Sequence, residues 1–324
     1  MIIDDLKNSN LKGRGGADYP TYQKWAAVLA AAGSRKYIIC NAAEGEPGVF
    51  KDGFILEKFP DAVVDGIKCA LETIDNSKAY IYLRKDYFRK FKNKLNKLIE
   101  GFPITLVKEN GGYLCGEETT LIESIEGNRQ EPREKPPFPT ESGLFGCPTL
   151  INNVETFYFV SKIKKGDYHN TRFYSISQEQ EKKGVFELPA GWTVRKILDE
   201  TGNMPKGKFF VQMGGAASGS ILTQNELETE VAGSGAIITY NYNNFDILTL
   251  IGKWVDFFYK ENCGKCVPCR EGVFRIREMI KKKKINRADL DDILFVLDET
   301  SFCPLGKGVA VPINGAVNKL WLKK

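Results

Sequence analysis

The residues best suited to chemistry are the cysteines of CGKCVPC (Cys263, Cys266 and Cys269), with a fourth, Cys303, far downstream in SFCPLG. Three thiols at C-x2-C-x2-C fit poorly around one tetrahedral zinc, whose sites usually pair two short knuckles. They suit the corners of a cubane [4Fe–4S] cluster, where three close thiolates wrap one face and a remote fourth closes the set. Gly264 and Pro268 would supply the tight turns, and Pro304 gives the fourth ligand the Cys-Pro ending common in cluster motifs. Zinc, or plain buried thiols, are the alternatives. The remaining cysteines, Cys40, Cys69, Cys115 and Cys147, are scattered and read as small buried hydrophobes.

A second chemical signal is LKGRGGADYPTYQKW, residues 11–25, with Gly13, Gly15 and Gly16 ahead of a helix expected from Thr21. A glycine-rich loop entering a helix offers free N–H groups and a positive dipole end to an anion. Arg14 and Lys24 add positive charge for a phosphate or an electron-rich ring. Surface turns are often glycine-rich too, so this motif alone is weak. Next, the apolar run Lys36 to Cys40 reads as a buried strand ending in the polar loop Asn41 to Gly48. Ligands of α/β sheets sit beyond the carboxyl ends of strands, which makes that loop a candidate pocket wall. In GGYLCGEETTLIESIEG, residues 111–127, Glu117 and Glu118 open a helix. Their carboxylates either cap it or bind ribose hydroxyls.

The elements that position these residues follow from periodicity. Helical spacing over 60–74 and 86–99 alternates with strand-like 79–83 and 103–107, the rhythm of a parallel α/β unit. Helical spacing returns at 246–260, 270–280 and 289–297. The cluster cysteines are therefore expected on loops between helices of a small bundle. Residues 132–139, PREKPPFP, read as a stiff connector near polyproline II.

Composition narrows the function classes. The single histidine, His169, excludes His-rich metal sites and most multi-histidine catalysis, leaving cysteines, carboxylates or a cofactor. With 46 basic and 41 acidic residues the net charge is +5, too mild to imply nucleic acid. The basic stretches Lys281 to Lys284 and Arg89 to Lys97 read as solvated helix faces. Neither a membrane-spanning apolar run nor a signal-peptide pattern is present, so a cytoplasmic chain without membrane insertion is expected, at most peripheral on the cytoplasmic side of a membrane complex.

GRGGA, NAAEGEPG, GGYLCGEET, REKPPFP, NNVETF and CGKCVPCREG followed by CPLG occur in this order. Together they resemble the flavoprotein subunit of respiratory NADH:quinone oxidoreductase (complex I) and the related subunits of NAD-linked hydrogenases and formate dehydrogenases. The resemblance runs from about residue 11 to the C-terminus. It implies FMN, NADH and one [4Fe–4S] cluster, and an electron-input activity: NADH oxidised at FMN, electrons leaving singly through the cluster. It implies an α/β fold built of a Rossmann-like FMN domain (1–168), a ubiquitin-like β-grasp domain of SLBB type (169–242) and a helical cluster domain (243–324). The short strand-like runs TRFYSIS, GVFELP, KFFVQM and GAIITY, with WTVRKILDETG as a helix between them, are consistent with the middle part.

By motif, the resemblance assigns Gly13, Arg14, Gly15, Gly16, Lys24, Asn41, Glu44, Gly116, Glu117, Asn152 and Asn153 to FMN. It assigns Tyr19, Glu46, Tyr113, Glu118, Lys135 and Phe138 to NADH, and Cys263, Cys266, Cys269 and Cys303 to the cluster. On the residues alone, Asn152 and Asn153 could simply cap a helix over 152–163, and Phe138 could be core. Hydride chemistry belongs to the flavin, so no catalytic acid or base is expected. Partners are expected to be other iron–sulfur subunits, including a small thioredoxin-like [2Fe–2S] subunit. The chain departs from the family pattern at Asp18, Tyr19, Tyr22, Ala27, Ala43 and Gly53. Asp18, Ala27 and Ala43 motivate an alternative: a flavin and iron–sulfur relay that does not bind a nicotinamide nucleotide. A zinc-holding scaffold without flavin is the non-enzymatic alternative.

Overall fold

The structure is a computed structural model and describes residues 2–179, 181–244 and 246–321. The outer ends of the expected first and third domains, Met1 and residues 322–324, lie outside the described residues. The chain forms two compact units. The first comprises Met1–Gly45, Phe50–Phe173 and Glu187–Ala190; the second comprises Glu46–Val49, Tyr174–Phe186 and Gly191–Lys324.

In the first unit, α1 (Ile2–Asn8) and α2 (Thr21–Ala30) precede β1 (Lys36–Ala42). Then α3 (Lys51–Lys58) and α4 (Pro60–Thr73) lead to β2 (Ser77–Leu83), and α5 (Lys85–Ile99) leads to β3 (Ile104–Lys108). Finally α6 (Glu118–Glu126) leads to β4 (Thr149–Asn153), which runs into α7 (Val154–Lys164). The sheet is parallel in the order β3-β2-β1-β4, with Ile38 opposite both Ala79 and Leu150. Ile38, Ile39 and Cys40 are fully buried, as expected of a parallel strand covered on both faces. The α5 helix is buried on one side only. Tyr87, Phe91, Leu95 and Ile99 are buried at four-residue intervals while its lysines face solvent. The α4 and α7 helices cross closely because position 66 is glycine. A Cβ there would fall 2.0 Å from the Phe157 carbonyl oxygen.

The second unit contains most of β5 (Thr171–Gln178) and β6 (Glu181–Pro189), then α8 (Val194–Glu200), β7 (Phe209–Met213), β8 (Ser220–Thr223) and β9 (Ala236–Asn241). Its mixed sheet has the order β6-β5-β9-β7-β8, with β5 parallel to β9, and β7 antiparallel to β8 and β9. The helices α9 (Ile247–Glu261), α10 (Val267–Lys281), α11 (Arg287–Thr300), α12 (Pro304–Gly308) and α13 (Ala310–Ala316) follow. They pack through Leu250, Trp254 and Phe258 on α9, Val273 and Ile276 on α10, and Leu290, Leu294 and Leu297 on α11. Each such side chain contributes ~1.5–3 kcal/mol by leaving water.

Several elements differ from the sequence expectation. The segment AVPINGA forms α13 despite an internal proline and glycine, because Ala310, Ile313 and Ala316 are buried and packing overrides propensity. The strands β4 and β8 are four or five residues long, too short for a periodic signal. Residues 132–139 are not an all-trans polyproline II path, since Lys135–Pro136 and Pro136–Pro137 are cis, an isomer whose cost is small before proline.

Candidate functional site

The sheet order places a reversal between β1 and β4. From β1 the chain moves outward to β2 and β3, and β4 then adds on the other side of β1. Parallel α/β sheets hold ligands at the carboxyl edge of such a switch point. Here the register sets Cys40 beside Asn152 and Asn41 beside Asn153. The Asn41 amide donates to Gly116 O at 2.9 Å and accepts from Ala43 N at 3.1 Å. Asn153 caps α7 by accepting from Glu155 N at 3.0 Å. Asn152 lies within β4, one residue before its end, and does not cap the helix. In the amide orientation that satisfies both its neighbours, its oxygen accepts from Trp25 Nε1 at 2.9 Å.

The glycine loop is pinned at its base, with Gly13 N donating to Tyr19 O at 2.8 Å and Thr21 N to Leu11 O at 3.0 Å. It lies over the start of α7: Arg14 N donates to Thr156 Oγ1 at 3.0 Å, and a Cβ on Gly15 would be 3.5 Å from Asn153 Cβ. The Arg14 side chain turns inward, only 5% exposed, toward Thr171 O, Glu155 and the Phe159 ring. Its guanidinium therefore has a structural role between α7 and the start of β5. Tyr19 and Phe138, by contrast, are about half exposed, at 48% and 50%, so Phe138 is not core.

Four charged groups form one network on this edge. Lys24 Nζ lies 3.4 Å from Glu118 Oε2 and donates to Ile151 O at 3.2 Å. Lys135 Nζ donates to Glu118 Oε1 at 2.8 Å and to Glu117 Oε1 at 3.1 Å. The second Glu117 oxygen caps α6 through Thr119 N and Thr120 N. Burial acts to raise the Glu118 carboxyl, but Lys24 and Lys135 outweigh it and hold it below its ordinary value. Burial likewise acts to lower Lys135, and Glu118 and Glu117 outweigh it and raise the ammonium above its ordinary value. Sequence motifs assign Lys24 and Glu117 to one ligand and Glu118 and Lys135 to another. The structure joins all four.

Glu44 is buried and fully engaged within the protein. It accepts from Asp52 N at 2.9 Å, Gly53 N at 3.2 Å and Tyr87 OH at 2.6 Å. Beside it lies a buried charge cluster, of which the motif assignments had singled out only Asn153. Lys51 Nζ is 2.6 Å from Asp52 Oδ1, 3.0 Å from Glu155 Oε2 and 3.0 Å from Asn153 Oδ1. Asn153 Nδ2 donates to Asp52 Oδ2 at 2.5 Å. Burial first, then Glu44, push the Asp52 carboxyl up to about 7 against the pull of Lys51. The only sequence cue was a lysine–aspartate pair at a helix start, which ordinarily reads as solvated. Tyr113 opens a short 3-10 turn before α6.

In the second unit, the Glu46 carboxylate accepts from Ala217 N at 2.9 Å and Ser218 N at 3.0 Å, so one oxygen is committed to the backbone of the 214–219 loop.

The cysteine module lies among the helices of that unit. Cys263 is on the loop, Cys266 is the N-cap of α10, Cys269 is in its first turn, and Cys303 is the N-cap of α12. Contrary to expectation, Cys269 is thus within a helix, and Cys266 and Cys303 sit at helix starts rather than in open loops. Part of the reason is that Pro268 lies at the start of α10 and not in a turn. Proline's missing N–H costs nothing in a first helical turn. Gly264 does make a turn, at φ 77°. Asn262 donates to Cys269 Sγ at 3.2 Å and accepts from Gly264 N at 2.6 Å. Burial first, then Cys266, Cys303 and Cys263, push the Cys269 thiol up to about 12. Among the described residues no three His, Cys, Asp or Glu side chains are grouped tightly enough to hold one metal ion. The four thiols act on one another at longer range. Soft, mutually repelling thiolates at a helix N-terminus are the donor set that a cationic iron core neutralises, so these residues fit an iron–sulfur cluster. The remaining free cysteines Cys40, Cys69 and Cys115 are buried, whereas Cys147 is partly exposed.

The first unit fits a flavin and a nucleotide on similar grounds. A switch point of the parallel sheet, two lysines at its carboxyl edge, a glycine-rich loop seated on the start of α7 and two half-exposed rings, Tyr19 and Phe138, are the parts present. Fold and site therefore define an α/β protein with a switch point at the carboxyl edge of its parallel sheet and a helical four-cysteine module. Residues 6–162 match the family model of the Nuo51 FMN-binding domain, and residues 249–321 match that of the NADH-ubiquinone oxidoreductase-F iron-sulfur binding region. An NADH-quinone oxidoreductase F subunit of Rhizobium meliloti is 33% identical, over 98% of this chain and 86% of its own length. The corresponding F subunit of Aquifex aeolicus is 35% identical, over 94% and 80%. A solved NAD+-reducing [NiFe]-hydrogenase in the H2-reduced state superposes with a TM-score of 0.88 at 29% identity, over 98% of this chain. The chain spans 60% of the length of that solved chain. The chain belongs to the family of the NADH-quinone oxidoreductase F subunit. Its mixed α/β fold, with a parallel sheet and a helical C-terminal part, matches the hydrogenase structure.

Proposed function

We propose that this chain oxidises NADH at a bound FMN and passes the electrons singly through one [4Fe–4S] cluster to partner subunits. The observation that carries the reading is the convergence of Asn41, Asn153, Lys24, Glu117, Glu118 and Lys135, from five separate segments, at one carboxyl edge. FMN, when bound, supplies the two-electron acceptance and one-electron release that no side chain here provides. The protein's task is placement. The glycine loop brings backbone N–H groups close to a ligand, Asn41 and Asn153 offer amides, and Lys24 and Lys135 offer positive charge. Tyr19 and Phe138 offer rings for stacking a base. Cys263, Cys266, Cys269 and Cys303 would hold the cluster, with the Asn262 amide bonding one of its sulfurs.

The finer architecture belongs to the same reading. It is a Rossmann-like FMN domain over 1–168, a β-grasp domain of SLBB type over 169–242 and a cluster domain over 243–324. The single helix α8 lying between strands of a mixed five-stranded sheet supports the middle assignment. A single-cluster chain needs an acceptor, which supports iron–sulfur partners, among them a thioredoxin-like [2Fe–2S] subunit. The absence, among the described residues, of any helix long and apolar enough to cross a membrane is compatible with a peripheral, cytoplasmic-side position.

An anaerobic absorbance spectrum titrated with NADH tests the reading. Flavin bands and a broad iron–sulfur shoulder should be present and should bleach with NADH. Bands that only dithionite bleaches would favour the relay alternative, which the exposed Ala27 on α2 motivates, since a stacking ring is missing there.

A further inference from the structure

Asp18 is the one acidic residue of the glycine loop, and two features set it apart. Its backbone is left-handed, at φ 49°, a conformation that glycine adopts more readily. Its Oδ1 is buried and accepts no hydrogen bond within the protein. Buried acceptors are almost always satisfied, and a carboxylate oxygen without a donor costs about 1–3 kcal/mol or more. A strained residue that keeps an unsatisfied acceptor is characteristic of a ligand contact. The loop itself is fixed by the Gly13–Tyr19 bond and the pairing of Lys12 with Pro20, so Asp18 is held in place before any ligand arrives. The next residue, Tyr19, presents a half-exposed ring on which a base can stack.

We infer that Asp18 is a specificity residue that accepts a hydrogen bond from a donor on a nucleotide whose base stacks on Tyr19, and so selects the dinucleotide without a 2′-phosphate. This rests on the nucleotide-binding reading above. A ribose 2′-hydroxyl and an exocyclic base amine are both donors at that position. A 2′-phosphate is neither, and its charge would face the carboxylate.

The test is calorimetric binding of the redox-inactive oxidised nucleotides to the purified holoprotein, with D18N and D18G as variants. The asparagine keeps the size and tolerates the left-handed backbone, and the glycine relieves the strain. NAD+ should bind at least about tenfold tighter than NADP+ to the unaltered protein, roughly the factor that one charge-assisted hydrogen bond supplies. In both variants that ratio should fall to within about threefold, from weaker NAD+ and tighter NADP+ binding. Nicotinamide hypoxanthine dinucleotide, which lacks the amine, identifies the donor. A collapse of the NADP+ ratio with the hypoxanthine ratio unchanged places the donor at the ribose and supports the inference; a collapse of the hypoxanthine ratio alone places it at the amine, which NADP+ shares, and overturns the selection against a 2′-phosphate. Unchanged ratios for both analogues in correctly folded D18N and D18G overturn the inference. Failure of the unaltered holoprotein to bind any of the three would instead sink the nucleotide-binding reading itself.

Discussion

Replacing Lys51 by methionine is the sharpest test of how the buried charge cluster is built. The ammonium is 2% exposed and sits within 3.0 Å of Asp52, Glu155 and the Asn153 amide oxygen. Methionine fills a similar volume, so the change removes charge more than packing. Removing one partner of a buried ion pair costs ~3–5 kcal/mol, because the other charge stays buried and uncompensated. Arg14, 3.9 Å from Glu155, remains to offset part of that loss, whereas Asp52 can respond only by keeping its proton. That carboxyl already sits at about 7, raised by burial and by Glu44 and held down by Lys51. Glu155, Cys40 and Tyr87 face the same cluster from α7, β1 and α5, and none of them brings positive charge. Without Lys51 the folded-state value rises further. A carboxyl raised above its unfolded value contributes stability below about pH 4, and that contribution is lost as pH rises through the folded value, at up to ~1.4 kcal/mol per unit. In the unaltered protein the loss ends near pH 7, whereas in Lys51→Met it continues above. The variant's deficit, read from urea unfolding of the first unit, should therefore be ~3–5 kcal/mol at pH 8.5 and smaller by about 2 kcal/mol at pH 6. Adding Asp52→Asn should recover part of it. A deficit below ~1 kcal/mol at pH 8.5, or one that does not change with pH, would refute the argument that Lys51 neutralises buried carboxylates.

Other consequences are simpler. Gly66→Ala places a methyl 2.0 Å from the Phe157 carbonyl, so α4 and α7 must separate, and the melting temperature should drop by the equivalent of ~1–3 kcal/mol. Asn262→Leu removes the hydrogen bond to Cys269 Sγ, which should lower the cluster potential in a redox titration followed by paramagnetic resonance; an unchanged potential would show that this bond does not tune it. Lys135→Met frees Glu118 from one of its two cations, and NADH affinity should weaken by roughly 10- to 150-fold while flavin content is retained, one charge-assisted contact being worth ~1.5–3 kcal/mol.

What could be read from the chain follows how local each signal is. Three cluster cysteines lie within seven residues, so their spacing favoured an iron–sulfur cluster over the zinc and buried-thiol alternatives. Their placement on helix starts was less visible, because Pro268 reads equally as a turn or as a first helical turn. Three of the four parallel strands of the first unit, β1 to β3, were legible as apolar runs, most clearly β1, which is covered on both faces; β4 was too short to read. The charge network was not. Lys51 and Glu155 are about a hundred positions apart and meet only because β1 and β4 are adjacent, which brings the starts of α3 and α7 together. A rule that treats charged residues as exposed fails at such a place. Arg14 illustrates the converse. Its position in a glycine loop suggested a phosphate contact, yet the loop's seat on Thr156 turns the guanidinium toward Glu155 and Phe159. The positive charge available to a ligand at this edge is therefore that of Lys24 and Lys135, and both are already shared with Glu118. An anion entering the crevice must compete with that carboxylate. On the function proposed above, the network would discriminate by what a ligand offers Glu118 in exchange as much as by what it offers the lysines, and a ligand with hydroxyl donors beside its phosphates would satisfy both.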